Sequence, residues 1–187
     1  MLNHVGTVIL RTKRFILRRF RDDDDIKLFN NFTSSYEVTK FLPWKPHKNL
    51  KITDLVLHSW IKEYSNIEYY NWAICLNDTD EPIGSINITS IDNYNENCEV
   101  GFCLSKEYWN HKIMTEVLNE VIRFAFSEVG FVRISARHAA KNIGCEKLLE
   151  NVGFKYEGTL RKIIKLSDGK YTDCKYYSIL KTEMEIS

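Results

Sequence analysis

Met114, Val117, Leu118, Val121, Ile122, Ala125 and Val129 recur at intervals of three and four residues. That spacing predicts one helix with a single buried stripe, and Gly130 ends it. Such a helix needs a surface to lie on. Upstream, Tyr70 to Leu76, Ile83 to Ile91 and Cys98 to Leu104 are strand-like runs separated by the turn-rich NDTDEP and DNYNEN, which reads as an antiparallel meander. Downstream, Val132 to Arg137 is a short strand. Asn142 then opens a helix carrying Leu148, Leu149 and Val152, Gly153 closes it, and Phe154 begins another strand. Asp173 to Leu180 is the last strand. Two β-rich runs, Val5 to Leu10 and Phe15 to Arg19, open the chain, and a loop with Pro43 and Pro46 precedes a helical stretch from Leu50 to Tyr64, in which Leu50, Leu55, Leu57, Trp60 and Ile61 are spaced loosely like a helix. No repeat or linker interrupts this order. The expectation is a single α+β (mixed α/β) domain over residues 1–187, with a meander and a strand-helix-strand-helix-strand run sharing one mixed sheet.

Composition narrows the function classes. Lys and Arg number 26 against 25 Asp and Glu, which argues against a strongly basic nucleic-acid clamp. The 5 cysteines, Cys75, Cys98, Cys103, Cys145 and Cys174, are odd in number and form no CxxC, so a disulfide framework is not expected and a reducing, cytoplasmic setting is. No histidine pair has HxxxH spacing, and no metal site is expected. The opening LNHVGTVIL has neither a basic start nor a cleavage site, and no apolar stretch approaches the length of a bilayer crossing.

Three segments carry potential chemistry. Asp22 to Asp25 read as a solvated helix start that complements the macrodipole, since four successive carboxylates diverge too widely to hold one cation. SKEYWNHKIMTEV joins a strand to the best helix, where unpaired amides form an anion site and His111 and Lys112 add charge; a plain loop with a solvated Lys112 is the alternative. Asn142 as N-cap and Gly153 as C-cap are accounted for structurally, and Cys145 as a small, half-buried residue.

Taken together and in order, EVGFCLSKEYWNHKIMTEVL, FAFSEVGFVRISARHAAKNIGCEKLLENVGFKYEGTLR and DGKYTDCKYYSIL resemble the RimJ/RimL-type branch of the GNAT acetyltransferase superfamily. The upstream TKRFILRRF, VTKFLPW and EPIGSINI fit the same layout, so the resemblance spans about residues 12–181. It implies a central mixed, mostly antiparallel sheet of about seven strands flanked by helices, in which a splayed parallel pair, Glu99 to Leu104 and Arg133 to His138, leaves a notch for acetyl-CoA. Cofactor contacts would then come from Phe102, Cys103 and Leu104, from the loop residues Asn110, His111, Lys112, Ile113, Met114 and Thr115, and from Asn142. Asn110 and Lys112 stand where the family usually has glycines, which let a phosphate approach the backbone.

The implied reaction is N-acetyl transfer to a primary amine by direct attack in a ternary complex. The acceptor would be a protein N-terminal α-amine, as on ribosomal proteins, or a small-molecule amine. Glu99 is the candidate base, the alternative being a strand carboxylate paired with a surface cation. Cys145 stands where relatives place a hydroxyl that protonates the departing thiolate. A backbone N–H near Phe102 to Leu104 would hold the oxyanion if a bulge opens that strand. Trp44, Trp72, Trp109 and Tyr171 are candidates for the acceptor wall, or else packing residues, and Asp173 either contacts the amine or orders its strand. The family often forms homodimers. The competing reading is a non-catalytic acyl-CoA-sensing or protein-interaction module with a degenerate pyrophosphate loop, supported by Asn110 and Lys112.

Overall fold

The computed structural model describes residues 1–184. In chain order the elements are β1 (Leu10–Arg11), β2 (Phe15–Arg18), α1 (Asp25–Leu28), α2 (Tyr36–Thr39), α3 (Leu50–Glu63), β3 (Tyr70–Leu76), β4 (Pro82–Asp92), β5 (Asn97–Leu104), α4 (Ile113–Phe124), β6 (Arg133–Ala139), α5 (Ile143–Val152), β7 (Lys155–Lys165) and β8 (Tyr171–Leu180). Eight strands form one sheet in the order β1-β2-β3-β4-β5-β6-β8-β7. Every neighbouring pair is antiparallel except β5 and β6. This is the mixed fold expected, with one strand more.

Strand alternation divides the core into two layers. Tyr70, Trp72 and Ile74 of β3 join Ile86, Ile88, Cys98 and Val100 against the stripe Val117, Leu118, Val121 and Ile122 of α4. The intervening Ala73 and Cys75 face the other way, onto Phe20, Leu28, Phe32 and Leu57. The stripe extends beyond α4 into a wider π turn, Ala125–Val129, which Gly130 closes in the left-handed conformation at φ 97°. Both caps of α5 are as expected: the Asn142 side chain accepts from the Cys145 amide, and Gly153 is left-handed.

Three local expectations are corrected. Val5 to Leu10 is not a strand, because Gly6 turns the chain at φ 67° and only Leu10–Arg11 pairs with β2. Residues 5–9 instead attach to β3 by single bonds, including the Asn71 amide to Thr7 Oγ1 (3.0 Å) and Trp72 Nε1 to the Val8 carbonyl (2.6 Å). Asp22 to Asp25 are not uniformly solvated, since Asp24 is buried against Arg18. Leu55, counted in the α3 stripe, is exposed, while Leu57 is buried. No helix among the described residues is long and apolar enough to cross a membrane.

Candidate active site

The parallel contact between β5 and β6 is short: Asn97, Cys98 and Glu99 pair with Arg133, Ile134 and Ser135, and beyond Glu99 the strands part. Which β5 groups face the gap follows from the hydrogen-bond pattern. The Ser105 amide donates to Ile83 (2.8 Å) across β4, whereas the Glu96 carbonyl accepts from Val132 (2.8 Å) on the β6 side. Antiparallel bonding alternates, so residues 99, 101 and 103 exchange bonds with β4 while Val100, Phe102 and Leu104 turn their peptide groups toward β6. Above Glu99 those groups line an open notch. The Leu104 carbonyl is taken by the Trp109 indole N–H at 2.8 Å. No bulge is involved: the register runs unbroken from Gly84 and Leu104 to Thr89 and Glu99, and divergence alone exposes this edge.

The notch leads to the loop before α4. Asn110 and Lys112 both have positive φ, 65° and 57°, so the chain takes the left-handed turns that glycine would provide. Asn adopts this region readily; for Lys it is strained. The amides of Ile113, Met114 and Thr115 start α4 and have no carbonyl one turn earlier to bond. Ile113 and Met114 bury their side chains in the core, while Asn110, His111 and Lys112 are exposed. Arg14, unremarked in the sequence, fixes this loop. Its guanidinium donates to the His111 carbonyl (3.2 and 3.3 Å) and to Glu116 in the first turn of α4 (2.7 Å). Replacing Lys112 by Gly is expected to raise stability by about 1 kcal/mol, the strain of one left-handed Cβ-bearing residue. For a domain of this size that corresponds to a Tm gain of about 2–4 °C in thermal denaturation. A lower Tm would mean that the Lys112 side chain stabilises the loop.

On the sheet face opposite α4, Glu99 pairs with Arg137 Nε at 3.0 Å and its side chain is 19% exposed. Burial pushes the Glu99 carboxyl above the ordinary carboxylate range, and Arg137 pulls it back only in part. Arg137 is itself held by the Tyr176 hydroxyl at 3.1 Å. Asn87 lies beside this pair, over Gly101, where a Cβ would come within 2.7 Å of Asn87 Oδ1. A side chain at 101 would therefore displace the Asn87 amide. Cys103, next on this face, has its thiol 3.2 Å from Ser85 Oγ.

Asn142 spends its Oδ1 on the Cys145 amide at 3.3 Å, the capping role. Burial pushes the Cys145 thiol up to about 12, so it stays protonated near neutrality and releases its proton far less readily than an ordinary thiol. That environment disfavours the acid role expected of it.

The four acceptor-wall candidates come from separate segments, Trp109 from the loop after β5, where it bonds the Leu104 carbonyl. Trp72 is a correction: it is fully buried, stacked near Tyr70 and edge-on to Phe124, and reaches no surface. Trp44 is half-buried in the loop before α3, beside His47. Tyr171 is exposed at the start of β8, under the Lys165 ammonium. Asp173 Oδ1 accepts from the Lys162 amide (2.8 Å) where the β7 register breaks, so it orders the β7–β8 hairpin.

The family model of the acetyltransferase (GNAT) domain matches residues 14–155. The uncharacterized N-acetyltransferase YoaA of Bacillus subtilis (strain 168) is 30% identical over 173 residues, covering 92% of this chain and 97% of YoaA. The uncharacterized N-acetyltransferase p20 of Bacillus licheniformis is 29% identical over 182 residues, covering 93% and 97%. Among solved structures, a GNAT-family acetyltransferase from Bacillus anthracis superposes with a TM-score of 0.81 at 22% identity, covering 94% of this chain and 100% of that one. The ribosomal-protein-S5-alanine acetyltransferase of Vibrio fischeri does so with 0.81 at 20% identity, covering 93% and 97%. These two likenesses show the fold. With the family match, which runs from the Arg14 brace through the notch and the left-handed loop to β7, they show that the chain belongs to the GNAT acetyltransferase family and is an N-acetyltransferase.

Proposed function

We propose that the protein transfers the acetyl group of acetyl-CoA to a primary amine, directly and within a ternary complex. The observation that carries this reading is the continuity of one path. The left-handed loop at Asn110 and Lys112 opens onto the Phe102 and Leu104 peptide edge, and that edge ends at the half-buried Glu99. The residues suit the carrier. Amides at the start of α4 receive a diphosphate, and the strand edge pairs with a pantetheine amide. Acetyl-CoA supplies an activated thioester. Phe102 and Leu104 offer N–H groups for its carbonyl oxygen. Glu99 accepts the proton of the acceptor ammonium, directly or through a water, because an amine with a pKa of about 8 is mostly protonated near neutrality. The new C–N bond forms and the C–S bond breaks; CoA leaves as the thiolate, and the surplus proton on the new amide nitrogen passes to it or to water.

The acceptor class is a protein N-terminal α-amine or a small-molecule amine, and the ribosomal substrate named for the Vibrio fischeri relative makes ribosomal N-termini the first peptides to try. Asn110 and Lys112, the basis for a non-catalytic module, hold the conformation a glycine loop would hold, so no feature of the structure favours that alternative. The test is thermal denaturation with acetyl-CoA, paired with detection of released CoA thiol on an amine panel. At ligand about a hundredfold above Kd, stabilisation of about 2.7 kcal/mol is expected. No shift at millimolar acetyl-CoA would overturn the proposal.

A further inference from the structure

The loop before α4 carries two side chains on left-handed backbone, Asn110 and Lys112. In that region a Cβ crowds the following carbonyl oxygen, and only glycine is free of the conflict, so a loop of this composition needs a restraint from outside. Arg14 supplies one from a rigid base. It sits in the tight turn between β1 and β2, where Thr12 Oγ1 accepts from the Phe15 amide (3.0 Å) and the Thr12 amide donates to the Phe15 carbonyl (2.9 Å). Phe15 is buried, which anchors the turn in the core. From there the Arg14 fork reaches both sides of the helix start. Nη1 and Nη2 donate to the His111 carbonyl, between the two strained positions, at 3.2 and 3.3 Å. Nε and the Arg14 backbone amide donate to the two carboxylate oxygens of Glu116, at 2.7 and 3.0 Å. The Glu116 amide makes the first bond of α4, to the Lys112 carbonyl (3.2 Å). The fork therefore brackets the amides of Ile113, Met114 and Thr115, which start the helix without an intrahelical partner.

We propose that Arg14 is a positioning residue: it holds this glycine-free loop in its left-handed shape, and through that shape it sets the affinity for the diphosphate of acetyl-CoA. The second half rests on the acetyl-transfer reading, and the first does not. The role belongs to the planar fork rather than to charge. Glu116 already neutralises the guanidinium, and a lysine ammonium, a single point, cannot span a carbonyl and a carboxylate in fixed geometry. Glycine at positions 110 and 112 would take the same angles unaided. The brace is needed because those positions carry side chains, and the experiment reads that conditional dependence.

Arg14→Gln and Arg14→Lys are made in the wild type and in the Asn110→Gly/Lys112→Gly background, and acetyl-CoA affinity is measured by calorimetry below the Tm of every variant. In the wild type either substitution should raise Kd about tenfold, the effect of losing charge-assisted hydrogen bonds. The KM for acetyl-CoA should rise with it while kcat stays near the wild-type value. In the glycine background the same substitutions should change Kd by less than about twofold. An equal loss of affinity in both backgrounds overturns the inference, because Arg14 would then act through the bare Glu116 charge or the fold at large. An Arg14→Lys variant that binds like the wild type overturns it too. The ligand-free loop is read by trypsin cleavage after the exposed Lys112, which should quicken about tenfold in Arg14→Gln as the loop opens more often. If the wild type does not bind acetyl-CoA, the acetyl-transfer reading and the second half of the proposal fall together. Cleavage then decides the first half: a faster rate in Arg14→Gln supports the brace, and an unchanged rate overturns it.

Discussion

Glu99→Gln is expected to lower kcat by about a hundredfold to ten-thousandfold at neutral pH, the range for loss of a positioned general base. Gln keeps the shape and can still accept from Arg137, but it cannot take a proton. The pH profile separates this role from a structural one. In the wild type the carboxylate must be ionised to work, and burial raises the pH at which that happens. Activity therefore falls as pH drops through the elevated Glu99 pKa, and the same direction of change accompanies protonation of the amine. In Glu99→Gln the limb belonging to Glu99 disappears and only the amine's remains. Acetyl-CoA should stabilise the variant as much as the wild type, because the loop and the strand edge are untouched. Activity within about threefold of wild type would remove Glu99 from the reaction and leave it as the partner of Arg137.

How much of this was legible in the sequence depends on the range of the interaction. The α4 stripe, the meander and the caps of α5 are encoded within a turn or a strand of each other, so periodicity and capping chemistry report them. Val5 to Leu10 has strand composition, but composition cannot show that Gly6 turns the chain before a ladder forms. Trp72 illustrates a second limit: an indole suits a ligand wall and a core equally, and only its β3 position, facing α4, decides. At Lys112 the chemistry pointed away from a left-handed turn, yet the loop adopts one. Tertiary anchoring overrides the local preference, with Arg14 gripping the His111 carbonyl from 97 residues away. Arg14, Arg137 and Asn87 had no local signature, because each matters through a partner on another element.

Asp24→Asn is expected to destabilise the fold by about 3–5 kcal/mol, the loss seen when one member of a buried ion pair is removed. Two hydrogen bonds join the Arg18 guanidinium to the Asp24 carboxylate, at 2.7 and 2.8 Å, and a third reaches Asp80 at 2.8 Å. The Arg18 and Asp24 side chains are 5% and 4% exposed, so solvent does little to screen them. Burial opposes the Arg18 charge, but hydrogen bonds to Asp24 and Asp80 more than offset it and raise its pKa. Without the Asp24 charge a buried guanidinium keeps one carboxylate, Asp80, whose side chain is 39% exposed. Asp24 Oδ2 also accepts the Arg21 amide at 2.8 Å, so the turn into α1 loosens together with the pair. For a domain of this size the expected fall in Tm is about 6–20 °C. The double variant Arg18→Met/Asp24→Leu should recover much of it, because no unpaired charge then stays buried. A single-variant loss below about 1 kcal/mol would mean that the pair behaves as a solvated one. The neighbouring chain is tied to β3 as well: Phe20, two residues beyond Arg18, donates its amide to the Tyr64 hydroxyl (2.9 Å), which donates in turn to the Asn71 carbonyl (2.7 Å). Asp24→Asn should retain acetyl-CoA binding at the α4 loop at temperatures below its own unfolding.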